Sequence, residues 1–176
     1  MSHAVCMITM HSASAPTFIK MLKNARVWLD KAVVHAEQKK YDVNAVLLQS
    51  RLAPDMFPLV RQLQSASDNA KGSMARLAGV DIPKFEDTEK TVAELQARLD
   101  KTVAFVETIT VAQLEGSETR EIVLHSGRGD RKFVGVDYLH YYALPNFFFH
   151  VTSAYAIMRH NGVDIGKVDY LNASGG

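Results

Sequence analysis

"YLHYYALPNFFFHVTSAYAIMRHNG", residues 138–162, is too apolar for a surface helix, yet it carries His150 in its middle, with Asn146 one turn earlier. A membrane span needs about 20 predominantly apolar residues. Pro145, His150, Ser153 and Arg159 interrupt this run, so no membrane partner is expected. The stretch reads as a core helix capped near Asp137, bent or divided at Pro145 and stopped at Gly162.

Working outward, three earlier segments share its period. Residues 15–39 place Phe18, Met21, Leu22, Ala25, Leu29, Ala32, Val33 and Ala36 on one stripe, with Ser14 as N-cap and Pro16 in the first turn. "YDVNAVLLQSRLAPDMFP" (41–58) then turns the chain through a short helix begun by Asp42. A second long helix, capped by Asp55 and accepting Pro58 in its first turn, carries Leu59, Leu63, Ala66, Ala70 and Met74 inward as far as Ala78, and Gly79 ends it. The small residues Ser65, Ala66, Ser67 and Ala70 suit close helix contact or room for a ligand. A third helix, from about Thr88 to Thr110, turns Val92, Leu95, Leu99, Val103 or Thr102, Val106 and Ile109 inward, and Glu94, Arg98, Asp100 and Lys101 read as its solvated face.

Between residues 120 and 134 the period becomes alternating. "REIVLH" and "RKFV" flank "SGRGD", which predicts a small β-hairpin. Its Gly-x-Gly lacks strand-to-helix P-loop spacing and is a weak phosphate signal. The tail "DIGKVDYLNASGG" is expected to pack through Tyr170 and Leu171. Four helices with apolar faces must bury them against one another, which predicts an all-α four-helix bundle with a small hairpin before the last long helix, in one domain over residues 1–176.

Twenty basic and nineteen acidic residues leave a net charge of +1, spread along the chain, so no nucleic-acid partner is expected. Cys6 is the only cysteine, which excludes an intrachain disulfide and a thiolate metal cluster. The start "MSHAVCMITMHSASAP" lacks a basic region followed by an uninterrupted apolar run, and a cytoplasmic location is expected.

Asn146 and His150, four apart, share a helix face. Gln64 and Asp68, also four apart, are the expected partners on the second helix. An Asp68–His150 contact would orient the imidazole and raise its proton affinity. With a divalent ion, His150 would give nitrogen, Asp68 oxygen and Asn146 a weak carbonyl donor, a poorer set than the three strong ligands of catalytic zinc sites. Buried polar groups are most often simply hydrogen-bonded, so a satisfied network or small-ligand pocket is the plainer reading. Arg51 and Asp55 form a second four-spaced pair, with Arg61 beyond. They suit a pocket mouth or an anion, and an ion pair is the simpler role. His140, Tyr138, Tyr141 and Tyr142 would form the lip of an aromatic pocket. His35 and His160 read as surface groups. His3, His11 and His125 lack ligand spacing with any other histidine.

"SASAPTFIKML", "RLAPDMFPLVRQLQSASDNAKG", "RLAG", "FEDTE" and "DYLHYYALPNFFFHVTSAYAIMRHNG" together resemble the DUF1993 family within the DinB/YfiT-like superfamily of four-helix bundles, over residues 10–171. The family brings no assigned biochemical role. The superfamily implies a scaffold for metal-dependent chemistry, including thiol transfer, with one histidine from the second helix and a His-x-x-x-His pair from the fourth. His150 matches the second member of that pair and Asn146 the first, while the second-helix position falls near Gln64, with Asp68 one turn on. One of three expected histidines is kept. The resemblance also implies a homodimer.

Two readings of function follow. The first is a bundle protein of no assigned activity with a polar, small-molecule pocket at Asp68, Asn146 and His150, bordered by Gln64, Arg51, Asp55 and Tyr142. The alternative is a hydrolase or thiol transferase dependent on a divalent metal, zinc or nickel, at His150, Asp68 and Asn146. An interaction module would need a basic stripe or an exposed apolar patch, and neither stands out.

Overall fold

The computed structural model describes residues 7–125, 127, 129–173 and 175. Cys6 and His3 lie outside the described residues. The protein is an all-α four-helix bundle with a two-stranded antiparallel hairpin before its last long helix. Its long helices are α1 (Ala15–Lys39), α2 (Leu59–Ala78), α3 (Val92–Glu107) and α6 (Leu144–His160). Short pieces connect them: α4 (Val111–Leu114), a 3₁₀ turn (Ser117–Thr119), β1 (Glu121–Leu124), β2 (Arg131–Val134) and α5 (Gly135–Tyr138). A π turn over Leu139–Ala143 joins α5 to α6, and α7 (Lys167–Asn172) closes the chain. No helix among the described residues is long and apolar enough to cross a membrane.

The periodic apolar residues meet in one core. Phe18, Leu22 and Leu29 of α1, Leu63 and Met74 of α2, Leu95 and Leu99 of α3, and Phe147 and Val151 of α6 are all sealed from solvent. α2 packs mainly against α3 and α6, and α1 mainly against α3. The helices adjacent in sequence, α1 and α2, are therefore not principal neighbours, and residues 40–58 carry the chain across. Phe18 ties α1 to α6, edge-on to Phe147 at 4.8 Å.

Helix ends depart from expectation in specific ways. The Ser14 hydroxyl donates to the Met10 carbonyl at 2.6 Å and does not cap α1. Residues 43–49 form hydrogen-bonded turns instead of a helix, with Asp42 accepting from the Asn44 amide at 2.8 Å. α2 starts after Pro58, leaving Asp55 exposed in the preceding turn and not a cap. α3 begins later than its periodicity suggests, because Thr91 and Glu94 form a reciprocal capping box. Asp137 lies inside the first turn of α5, after Val134. The left-handed Gly79, φ 68°, closes α2 as expected.

Two contacts pin the hairpin and the tail. β1 and β2 pair Glu121 with Val134 through Leu124 with Arg131. Gly135 follows at once, and any Cβ there would sit 1.8 Å from the Ser117 carbonyl oxygen, a close approach only glycine permits. In the tail, Tyr170 stacks on Trp28 at 5.5 Å, and the Trp28 indole donates to the Asp169 carbonyl at 3.0 Å. Leu171, expected to pack, is 48% exposed.

Candidate functional site

Along α2 a polar row runs through Arg61, Ser65, Asp68 and Asn69, Gly72 and Arg76, at three-to-four spacing beside the apolar stripe. It faces the continuous run of α5, the π turn and α6, where Tyr138, Tyr142, Asn146 and His150 recur every four residues. Leu124, His125 and Arg131 of the hairpin close the third side. Together they enclose about 350 Å³. A larger hollow of about 430 Å³ lies against Met7–Ala13, but its walls are mainly apolar and do not include His150. The smaller cavity, with its convergent polar groups, is the candidate site.

α6 reaches the cavity together with the π turn before it. Leu139–Ala143 precedes Pro145, whose ring nitrogen has no hydrogen to return to the preceding turn. Tyr138 and Tyr142 stack here at 5.7 Å, and the Arg131 guanidinium lies 4.9 Å from the Tyr142 ring centre. Tyr138 is buried, its hydroxyl 3.1 Å from Ser73 Oγ and accepting from Arg76 Nη1 at 3.4 Å. The expected aromatic lip is thus half present: Tyr138 and Tyr142 line the cavity, whereas Tyr141 and His140 are exposed away from it.

His150 is half-buried, and Gln62 holds it. Gln62 Nε2 donates to the Phe57 carbonyl at 3.2 Å, which directs Oε1 toward His150 Nδ1 at 2.8 Å. An amide oxygen only accepts, so Nδ1 carries the proton and Nε2 keeps its lone pair in the neutral ring. Burial, and secondarily the charge of Arg61, hold the imidazole pKa below its ordinary value.

The expected Asp68–His150 pairing is replaced, and the proton affinity moves in the opposite direction. Asp68 lines the same cavity, but its Oδ1 accepts from Arg98 Nη2 at 2.7 Å and lies 3.0 Å from Lys71 Nζ. Arg98, read from sequence as solvated, is 3% exposed. It also meets Asp87 and Glu89, each at 3.0 Å. Gln64 is turned to this cluster, donating to Glu89 at 2.8 Å, and is not a wall of the cavity. Arg51 and Asp55 are not at the mouth: both are exposed, and Arg51 donates to the Met56 carbonyl. Arg61 does reach the cavity and pairs with Asp87.

These donors do not fit a divalent cation. Among the described residues, three arginines, Arg61, Arg76 and Arg131, line the cavity against one carboxylate, Asp68, which already pairs with Arg98 and Lys71. Asn146 offers only a neutral amide, and Nδ1 of His150 is engaged. Among the described residues no three His, Cys, Asp or Glu side chains gather where they could hold a metal ion. The polar walls are instead suited to hydrogen bonding. Asn69 lines the cavity, and its Oδ1 is buried without a hydrogen-bond partner among the described residues.

The family model described as Domain of unknown function (DUF1993) matches residues 10–171. The chain belongs to the DUF1993 family. Among solved structures, the DUF1993 chain is similar to a DinB family member protein from Shewanella denitrificans. The two are 42% identical over 93% of this chain and 92% of the other, with a TM-score of 0.86. No curated protein matches it.

Sequence reasoning missed Gln62, Asn69, Arg76 and Arg131 in this DUF1993 chain. A signal for two of them was present: Asn69 and Arg76 follow Arg61, Ser65 and Asp68 along α2 at three-to-four spacing. Arg131 arrives from a strand, and no local pattern links it to α2.

Proposed function

We propose that this chain is a small-molecule-binding member of its family, with the α2–α6 cavity as the binding site and Asp68, Asn146 and His150 among its walls. The observation that carries this reading is the Gln62-fixed ring of His150. Its Nε2 has no hydrogen-bond partner among the described residues and is kept as an acceptor in a half-buried polar cavity. Asn69, also on the wall, supplies a second acceptor, an amide oxygen without a partner among the described residues. Buried polar groups in folded proteins are nearly always satisfied, so the Asn69 oxygen, with the open Nε2 of His150 on the same cavity, suits a bound polar molecule. The cavity volume falls within the range of small-ligand sites, about 300–1,000 Å³.

In this reading Asn146 and His150 orient the ligand, and Asp68 acts indirectly, by fixing Arg98 and Lys71 behind the wall. A cytoplasmic setting, expected from the sequence, and a homodimer, implied by the family resemblance, go with it. Sedimentation velocity tests the dimer. The test of binding is a fragment titration of the full, tag-free chain followed by backbone NMR. Binders are expected to shift the amides of Asn69, Asn146 and His150 and to lose affinity in His150→Ala. Binders that map only elsewhere on the surface would remove the cavity as the site.

A further inference from the structure

Two of the three cavity arginines differ from the rest of the charge network. Arg61 pairs with Asp87, and Arg98, behind the wall, meets three carboxylates. Arg76 and Arg131 have no carboxylate partner among the described residues. Both are brought to the same stacked tyrosine pair: Arg76 Nη1 lies 3.4 Å from the Tyr138 hydroxyl, and Arg131 lies over Tyr142. The side chain of Arg76 folds back along α2 over Gly72, where a Cβ would stand 2.7 Å from Nη1. Glycine at position 72 thus leaves the guanidinium room beside the cavity wall.

Guanidinium groups present planar, paired donors that match carboxylate and phosphate oxygens. Two that have no acid partner among the described residues, in a concavity whose one carboxylate among those residues is already shared by two other cations, make a site for negative charge. His150 contributes the complementary half, an Nε2 lone pair held in place from behind by Gln62.

We propose that the cavity takes a small ligand by its anionic group, a carboxylate or phosphate held by Arg76 and Arg131, with a hydroxyl or amino group of the same molecule donating to His150 Nε2. This rests on reading the cavity as a small-molecule site, and it adds the class of molecule.

Four probes matched in carrying a hydroxyl test it: glycerol 3-phosphate, glycolate, glycerol and ethanolamine. Each is titrated into the full chain and followed through the backbone amides of Asn69, Arg76 and His150. The anionic probes are expected to shift these signals at concentrations where glycerol and ethanolamine do not. Their relative affinities decide between phosphate and carboxylate. Arg76→Gln and Arg131→Gln are each expected to weaken the anions tenfold or more, while Arg51→Gln, outside the cavity, leaves them unchanged. Glycerol or ethanolamine binding the cavity as well as the anions, indifferent to both arginine substitutions, would overturn the anionic class and leave the small-molecule reading standing. No cavity shift with any of the four, in a chain shown to be folded, would count against both.

Discussion

Gln62, one residue from the polar row of α2, accepts the Nδ1 proton of His150 at 2.8 Å, and its own amide is fixed by the Phe57 carbonyl. The ring is therefore aimed from behind, by an uncharged group. Replacing Gln62 with Leu leaves a buried N–H unsatisfied, a loss of about 1–3 kcal/mol measurable by urea unfolding. The same variant is expected to release the tautomer, which ring nitrogen shifts report.

Stability should depend on pH through this histidine. Burial and Arg61 hold its folded pKa below the ordinary 6.5. As pH falls below about 6.5, the unfolded chain takes up a proton that the folded chain resists, so the unfolded state binds more protons. The contribution is fully present above that value and is lost as pH falls toward the lower folded pKa. His150→Gln is expected to flatten this part of the stability profile, and urea midpoints at pH 7.5, 6.5 and 5.5 measure it.

Gly72→Ala separates stability from binding. The nearest atoms to a new Cβ all belong to the flexible end of Arg76, which can move aside. A helix-interior glycine replaced by alanine gains roughly 0.5–1 kcal/mol. The variant is expected to melt higher and to bind glycolate and glycerol 3-phosphate more weakly, because Arg76 is displaced with its charge intact.

Arg98 supports the wall of the cavity from inside. Arg98→Ala leaves Glu89, which is 12% exposed, with the neutral Gln64 amide in place of its cation, and removes one partner of Asp68 and Asp87. Breaking a buried ion pair costs about 3–5 kcal/mol. Asp68 and Asp87 are more than a third exposed and screened, which favours the lower end. Arg98→Lys, keeping charge but not the forked donors, should fall between wild type and alanine in urea unfolding.

Gly135→Ala is expected to destabilise strongly for a single methyl group. Its Cβ would meet the backbone oxygen of Ser117, which cannot step aside as a side chain can. Forced overpacking costs about 1–3 kcal/mol, and a thermal melt checks it.

The fold was legible because its helices bury continuous apolar stripes: Leu59, Leu63, Ala66, Ala70 and Met74 reach the core as their spacing implies. The hairpin was legible from its change of period. The site was legible only in part. Asn146, His150, Asp68 and Tyr142 do come to one cavity, since four-residue spacing fixes a shared face within a helix. Spacing does not fix how two helices are rotated against each other, and the choice between Gln62 and Gln64 depends on that rotation. Nor does it reveal that Arg98, amid charged neighbours on α3, is buried by carboxylates from α2 and the 79–91 connection.

The most direct measurement is the ring ¹H–¹⁵N spectrum of His150 in the tag-free chain at pH 7, assigned with His150→Gln, before and after one equivalent of zinc and then with glycerol 3-phosphate or glycolate. A neutral ring protonated at Nδ1, unchanged by zinc and shifted by the anion, is the expected result. A charged ring, a proton on Nε2, or stoichiometric zinc bound through His150 would contradict it.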